Sequence, residues 1–209
     1  MSVEFAGLIE AARIVPVVVI DDADCAIPLA ETLRDSGLGI IEITLRTPEA
    51  LKAIEKVAHS VPEMLVGAGS IRSAGQMVEI GNAGADFAVS PGATERLVTE
   101  ARRLQMPFIP GAATPSEILV LLEQGFTLQK FFPAQAAGGI RMLRAFASPI
   151  PEVQFMPTGG ISPELASDYL AEPNVAAIGG SWITPPELIR AGEYGQIATL
   201  ARQAARLEL

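Results

Sequence analysis

The strongest constraint on this chain is an alternation that runs almost from end to end. Short apolar runs of strand length are separated by segments of helical periodicity. After a short helix over Val3 to Ala12, strands are expected at Val15–Ile20, Gly39–Leu45, Met64–Ser70, Asp86–Ser90, Phe108–Ala112, Leu128–Phe132, Val153–Met156 and Val175–Ile178. Between them the pattern predicts helices at Ala26–Ser36 (with Gly37 as its cap), Pro48–Ala58, Ser73–Asn82 and Thr94–Leu104. Further helices follow from Pro115, over Ile140–Ala147 and Pro163–Leu170, and in the C-terminal stretch to about Arg206. Strands that are apolar on both faces and separated by helices imply a parallel sheet with right-handed crossovers. Eight such units suggest one domain, residues 1–209, folded as a closed (β/α)8 TIM barrel near the short end of its size range. A doubly wound sheet usually needs fewer units, and no Gly-x-Gly-x-x-Gly follows the first strand.

Composition narrows the partners. The net charge is −9 and the basic residues are scattered, which argues against nucleic acid and anionic membranes. Cys25 is the only cysteine, so no intramolecular disulfide forms, as expected of a cytoplasmic protein. The first apolar run, Ile14 to Ile20, is too short for a membrane span, and no signal peptide is expected. With His59 as the only histidine, no ligand set for a metal is legible and Ser–His catalysis has no base. No metal and no cofactor are expected.

Polar residues collect where the expected strands end. Thr44 and Arg46 close the second, Gly67-Ala-Gly-Ser70 the third, and Ser90-Pro-Gly92 the fourth. Gly111-Ala-Ala-Thr114 closes the fifth, Pro157-Thr-Gly-Gly160 the seventh, and Gly179-Gly-Ser181 the eighth. In such barrels the active site is built from the loops at these ends. In the second strand Ile41, Ile43 and Leu45 share one parity, and Ile40, Glu42, Thr44 and Arg46 the other. A two-residue period therefore turns Glu42 and Arg46 toward the lumen. They stand about 13 Å apart along an extended strand, too far for a direct pair, so Glu42 needs another partner.

Lysine supplies one. The chain has three: Lys52 and Lys56 lie four apart in a helical segment, while Lys130 lies at strand spacing between Leu128 and Phe132. An amine among apolar side chains is costly to keep charged and can form a Schiff base with a carbonyl compound. The alternative for Lys130 is a packed stem with its head in water. If Lys130 condenses with a 2-oxo group, Glu42 can move protons and Arg46 offers a planar fork for a carboxylate. The glycine-rich ends of strands seven and eight suit an anion, because backbone N–H groups can approach it closely.

Taken in order, the motifs Glu42-Ile-Thr-Leu-Arg-Thr47, Gly67-Ala-Gly-Ser70, Ser90-Pro-Gly92, Lys130-Phe-Phe-Pro-Ala134, Pro157-Thr-Gly-Gly-Ile-Ser162 and Gly179-Gly-Ser-Trp182 resemble the 2-keto-3-deoxy-6-phosphogluconate (KDPG) and 4-hydroxy-2-oxoglutarate (KHG) aldolase family. The resemblance covers nearly the whole chain. It implies a metal-free class I aldolase that cleaves KDPG to pyruvate and glyceraldehyde 3-phosphate, or KHG to pyruvate and glyoxylate. It assigns the Schiff base to Lys130 and proton transfer to Glu42. Arg46 and Ser70 would hold the pyruvyl carboxylate, Pro91 would line its pocket and Thr158 would contact substrate. Gly159, Gly160 and Ser181 would bind phosphate, and the assembly would be a homotrimer. Ser70 stands where threonine is usual in the family, and Gln135 where glutamate is usual. Two rivals share the phosphate loops: a barrel isomerase or transferase without covalent chemistry, and a non-catalytic metabolite-binding barrel.

Overall fold

The computed structural model describes residues 3–207. Helix α1 (Val3–Ala12) precedes β1 (Ile14–Val18), α2 (Ala26–Asp35), β2 (Ile40–Thr44), α3 (Ala50–Ser60), β3 (Leu65–Gly69), α4 (Ala74–Asn82), β4 (Phe87–Val89) and α5 (Glu95–Arg103). Then come β5 (Phe108–Ile109), β6 (Gly111–Ala112), α6 (Pro115–Glu123), β7 (Leu128–Phe131), α7 (Gly139–Ala147), β8 (Gln154–Phe155), α8 (Pro163–Leu170), β9 (Ile178–Gly180), α9 (Pro186–Ala191) and α10 (Tyr194–Ala205). The strands are parallel and form a curled α/β sheet in two sections, ordered β5-β4-β3-β2-β1-β9 and β6-β7-β8. The expected fifth strand is divided at Pro110, which has no N–H to donate and separates β5 from β6. Isolated bridges join Phe155 to Val175 and Thr158 to Gly179.

Local signals explain most boundaries. Thr114 accepts from the Glu117 N–H while the Glu117 carboxylate accepts from the Thr114 N–H at 2.9 Å, a capping box that starts α6 with Pro115 in its first turn. Ser73 and Thr94 cap α4 and α5 in the simpler way. Gly37, at φ 94°, ends α2: its N–H donates to Arg34 and that of Leu38 to Leu33, the paired bonds of a Schellman turn. Several boundaries differ from the sequence pattern, two of them at the starts of elements near the site. Helix α3 begins at Ala50 rather than Pro48. The last strand lies at Ile178–Gly180 rather than Val175–Ile178, because Ile178, Gly179 and Gly180 pair with Ile14, Val15 and Pro16 of β1. Glycine is a poor strand former, so pairing with a neighbour overrides its local preference.

Strand parity divides the core in two. Ile41, Ile43, Val66 and Ala68 join the helices in one apolar layer. Val15, Ile40, Phe87, Val89, Ile109, Leu128, Met156 and Ala177 form a second cluster, which Phe5 and Ile9 of α1 also join. The rings of Phe5 and Phe87 are 5.4 Å apart. The inner side of the curled sheet is thus filled by apolar side chains at one end, and Glu42 and Lys130 are the polar members of the same parity.

Candidate active site

Glu42 and Lys130 reach the same place from strands that are not neighbours. β2 is a central strand of the six-stranded section and β7 of the three-stranded one. The Lys130 ammonium donates to Glu42 Oε1 at 3.1 Å across 88 residues of sequence, with Glu42 fully buried and Lys130 5% exposed. Glu42 Oε2 is buried too and has no hydrogen-bond partner among the described residues. A carboxylate oxygen without a donor is costly unless something polar comes to meet it. The ring of Phe132 lies 5.5 Å from the Lys130 ammonium, a cation–π contact on the outward side. Sequence reasoning noted the parity of Phe132 with Lys130 but gave it no role.

The strand beside β2 is shaped around these groups. Gly67 and Gly69 are lumen positions of β3, in register with Glu42 and Thr44. A Cβ at Gly67 would meet the Phe87 ring at 2.1 Å, and one at Gly69 would meet Glu42 Oε1 at 2.1 Å. Ser70 follows with φ 61°, a conformation uncommon for a side chain larger than glycine. Its hydroxyl accepts from Arg46 Nε at 3.2 Å, and Arg46 makes no ion pair with Glu42, as the spacing predicts. Thr44, buried between them, donates to the Val18 carbonyl at 2.9 Å.

The remaining candidates surround this pair. Gly111 is the register partner of Lys130, and a Cβ there would meet the carbonyl of half-buried Pro91 at 2.5 Å. Thr158 is buried against Gly179, whose missing Cβ leaves room for its hydroxyl. Gly159 and Gly160 follow with φ of 104° and 77°, conformations that favour glycine. Their loop is tied to the end of β7, since the Ala134 N–H donates to Thr158 at 2.8 Å and that of Gln135 to Gly159 at 3.1 Å. Ser181 is exposed just beyond β9. His59 lies apart on the exposed face of α3, its Nδ1 2.8 Å from the Glu55 carbonyl oxygen. Among the described residues no group of three or more His, Cys, Asp or Glu could hold a metal ion, and no helix is long and apolar enough to cross a membrane.

A buried amine and carboxylate at the C-terminal ends of parallel strands can form an imine and move protons beside it. Fold and site together define a class I aldolase, the kind of lyase that holds a 2-oxo compound covalently on a protein amine. The model of the KDPG and KHG aldolase family matches residues 6–200, and the chain belongs to that family. It is 46% identical over 191 residues to the KHG/KDPG aldolase of Escherichia coli K12, covering 91% of this chain and 90% of that one. Among solved structures it is similar to the KDPG aldolase of Legionella pneumophila, with pyruvate captured as a covalent carbinolamine intermediate. The TM-score is 0.92 at 44% identity, over 94% of this chain and 96% of that one. The KDPG aldolase of Zymomonas mobilis, with 3-phosphoglycerate, gives a TM-score of 0.92 at 37% identity, over 99% and 98%.

Proposed function

We propose that this protein cleaves KDPG to pyruvate and glyceraldehyde 3-phosphate, and KHG to pyruvate and glyoxylate, through an imine on Lys130. One observation carries this reading: the buried Lys130 amine stands 3.1 Å from the buried Glu42 carboxylate. The neutral amine adds to the C2 carbonyl, forming a C–N bond and a carbinolamine. Loss of water, with the proton for the leaving hydroxyl moved by Glu42, gives the iminium. Removal of the C4 hydroxyl proton by the Glu42 carboxylate then lets the C3–C4 bond break. The O–H pair becomes the aldehyde carbonyl, and the C3–C4 pair enters the iminium to make an enamine. Glu42 returns a proton to C3, and water hydrolyses the pyruvyl iminium, restoring the amine and balancing the water lost earlier. Glu42 Oε2 is free to hold that water.

Arg46 and Ser70 bind the 2-oxo acid's carboxylate, Arg46 by its planar fork. Pro91 walls the pyruvyl pocket, and Thr158 contacts the bound substrate. The open backbone of Gly159 and Gly160, with the Ser181 hydroxyl, takes the phosphate, an anion also present in the ligand of the Zymomonas mobilis structure. We further read the two sheet sections as one closed (β/α)8 barrel formed by a single domain over residues 1–209. The bridges from β8 toward β9 and the Lys130 N–H donating to Pro110 at 2.8 Å, between β5 and β6, support that closure. The assembly is a homotrimer, in keeping with its family, and the single cysteine suits the cytoplasm.

The test is borohydride reduction in the presence of pyruvate, followed by peptide mass mapping. A reduced pyruvyl adduct on Lys130 is the expected result. A folded protein with no adduct, or with the adduct elsewhere, would overturn the assignment.

A further inference from the structure

Two of the three inward positions of β3, Gly67 and Gly69, are glycines, and each is filled by a side chain from a neighbouring strand. Phe87 occupies the space at Gly67 as packing, whereas the space at Gly69 is occupied by the end of Glu42. A Cβ built on Gly69 would lie 2.1 Å from Oε1, 2.7 Å from Cγ and 2.8 Å from Cδ of Glu42, so the carboxylate rests directly on this residue. Gly69 is a strand residue outside the left-handed region, and its carbonyl accepts from the Leu45 N–H at 2.8 Å. Neither the backbone conformation nor the pairing requires glycine here. The requirement comes from Glu42. To reach an ordinary contact of 3.4 Å, Oε1 would have to move by roughly 1.3 Å, enough to break its 3.1 Å bond to Lys130.

We propose that Gly69 is a positioning residue for the aldol reaction: its missing side chain sets how far the Glu42 carboxylate extends toward Lys130 and the carbon that exchanges a proton. This rests on the acid–base role given to Glu42 above. Gly69 and Ser70 then act as one template at the end of β3. The first fixes the proton-transfer group of β2 by absence, and the second holds Arg46, just beyond that strand, by its hydroxyl at 3.2 Å.

The test compares Gly69→Ala in two backgrounds, wild type and Glu42→Ala, which removes the Oε1, Cγ and Cδ atoms that a side chain at residue 69 would meet. Two readouts separate the steps: borohydride trapping of pyruvate, which needs the amine, and exchange of the pyruvate methyl hydrogens in D2O, which also needs the base. Gly69→Ala is expected to lower kcat and exchange by about 100-fold, the usual effect of a misplacement near 1 Å, while trapping goes to completion and KM moves little. In the Glu42→Ala background the same change should cost nothing further, because interacting sites are not additive. An equal fold-loss in both backgrounds, or full activity of Gly69→Ala, overturns the proposal. If Gly69→Ala alone does not fold, Glu42→Ala should restore folding, and failure to do so overturns it as well. Should Glu42→Ala itself exchange at the wild-type rate, the acid–base role of Glu42 fails, and that outcome is distinct from a failure confined to Gly69.

Discussion

At the residue scale, the proposed chemistry depends on a lysine and a glutamate that only the fold brings together. Both were legible from parity: a charged group at a lumen position of an apolar strand has to be explained, and only Lys130 among the lysines lies on such a strand. Lys130 was legible as the partner that Glu42 needs, but the 3.1 Å at which they meet was not, since strand spacing gives the face a residue occupies and not its distance from a facing strand. The same limit hid Gly69. Gly67-Ala-Gly-Ser70 reads as turn chemistry until Phe87 and Glu42 are seen in the spaces it leaves. Ser181 offers a test of specificity at this scale. Ser181→Ala should raise KM for the phosphorylated substrate by roughly tenfold, the worth of one hydrogen bond to a charged group, and leave cleavage of KHG nearly unchanged. Steady-state kinetics on both substrates checks it, and an equal effect on the two would remove phosphate from the role of Ser181.

Single secondary-structure elements were read well at most caps and prolines, Pro48 being an exception, and less well where pairing decided. Pro163–Leu170 and Val3–Ala12 have the expected bounds, while the last strand shifted onto its glycines because β1 supplies the partners. The α6 capping box is a local device with a pH dependence. Hydrogen bonds from the Ala113 N–H and from Thr114 hold the Glu117 carboxyl below the usual carboxylate range. A depressed folded-state value means that its contribution is present above the unfolded pKa and is lost as pH falls through the folded one. Thr114→Ala should therefore cost about 1 kcal/mol at neutral pH. Its effect on the melting temperature, about 2–4 °C for a chain of this size, should shrink toward pH 3. Thermal unfolding at both pH values decides this; an undiminished difference at low pH would take the Glu117 half of the box out of the account.

For the whole molecule, alternation alone indicated the fold class, and the division at Pro110 is the feature it missed. Proline inside an apolar run is easily read through, yet it splits one strand into β5 and β6 and leaves the Pro110 carbonyl to receive the Lys130 N–H at 2.8 Å. The apolar layer of Val15, Ile40, Phe87, Val89, Ile109, Leu128, Met156 and Ala177, with Phe5 and Ile9 of α1, has a consequence for traffic. In the closed barrel proposed above it makes the reaction chamber a cul-de-sac that opens on the side of Arg46, Gly160 and Ser181. With the pyruvyl half of the substrate bonded to Lys130 at the back wall, as proposed, the aldehyde half stands between it and the door. Departure is then sequential: the aldehyde leaves first and pyruvate last. Pyruvate should act as a competitive product inhibitor of cleavage and the aldehyde as a noncompetitive one, and the reverse pattern would mean a second way out.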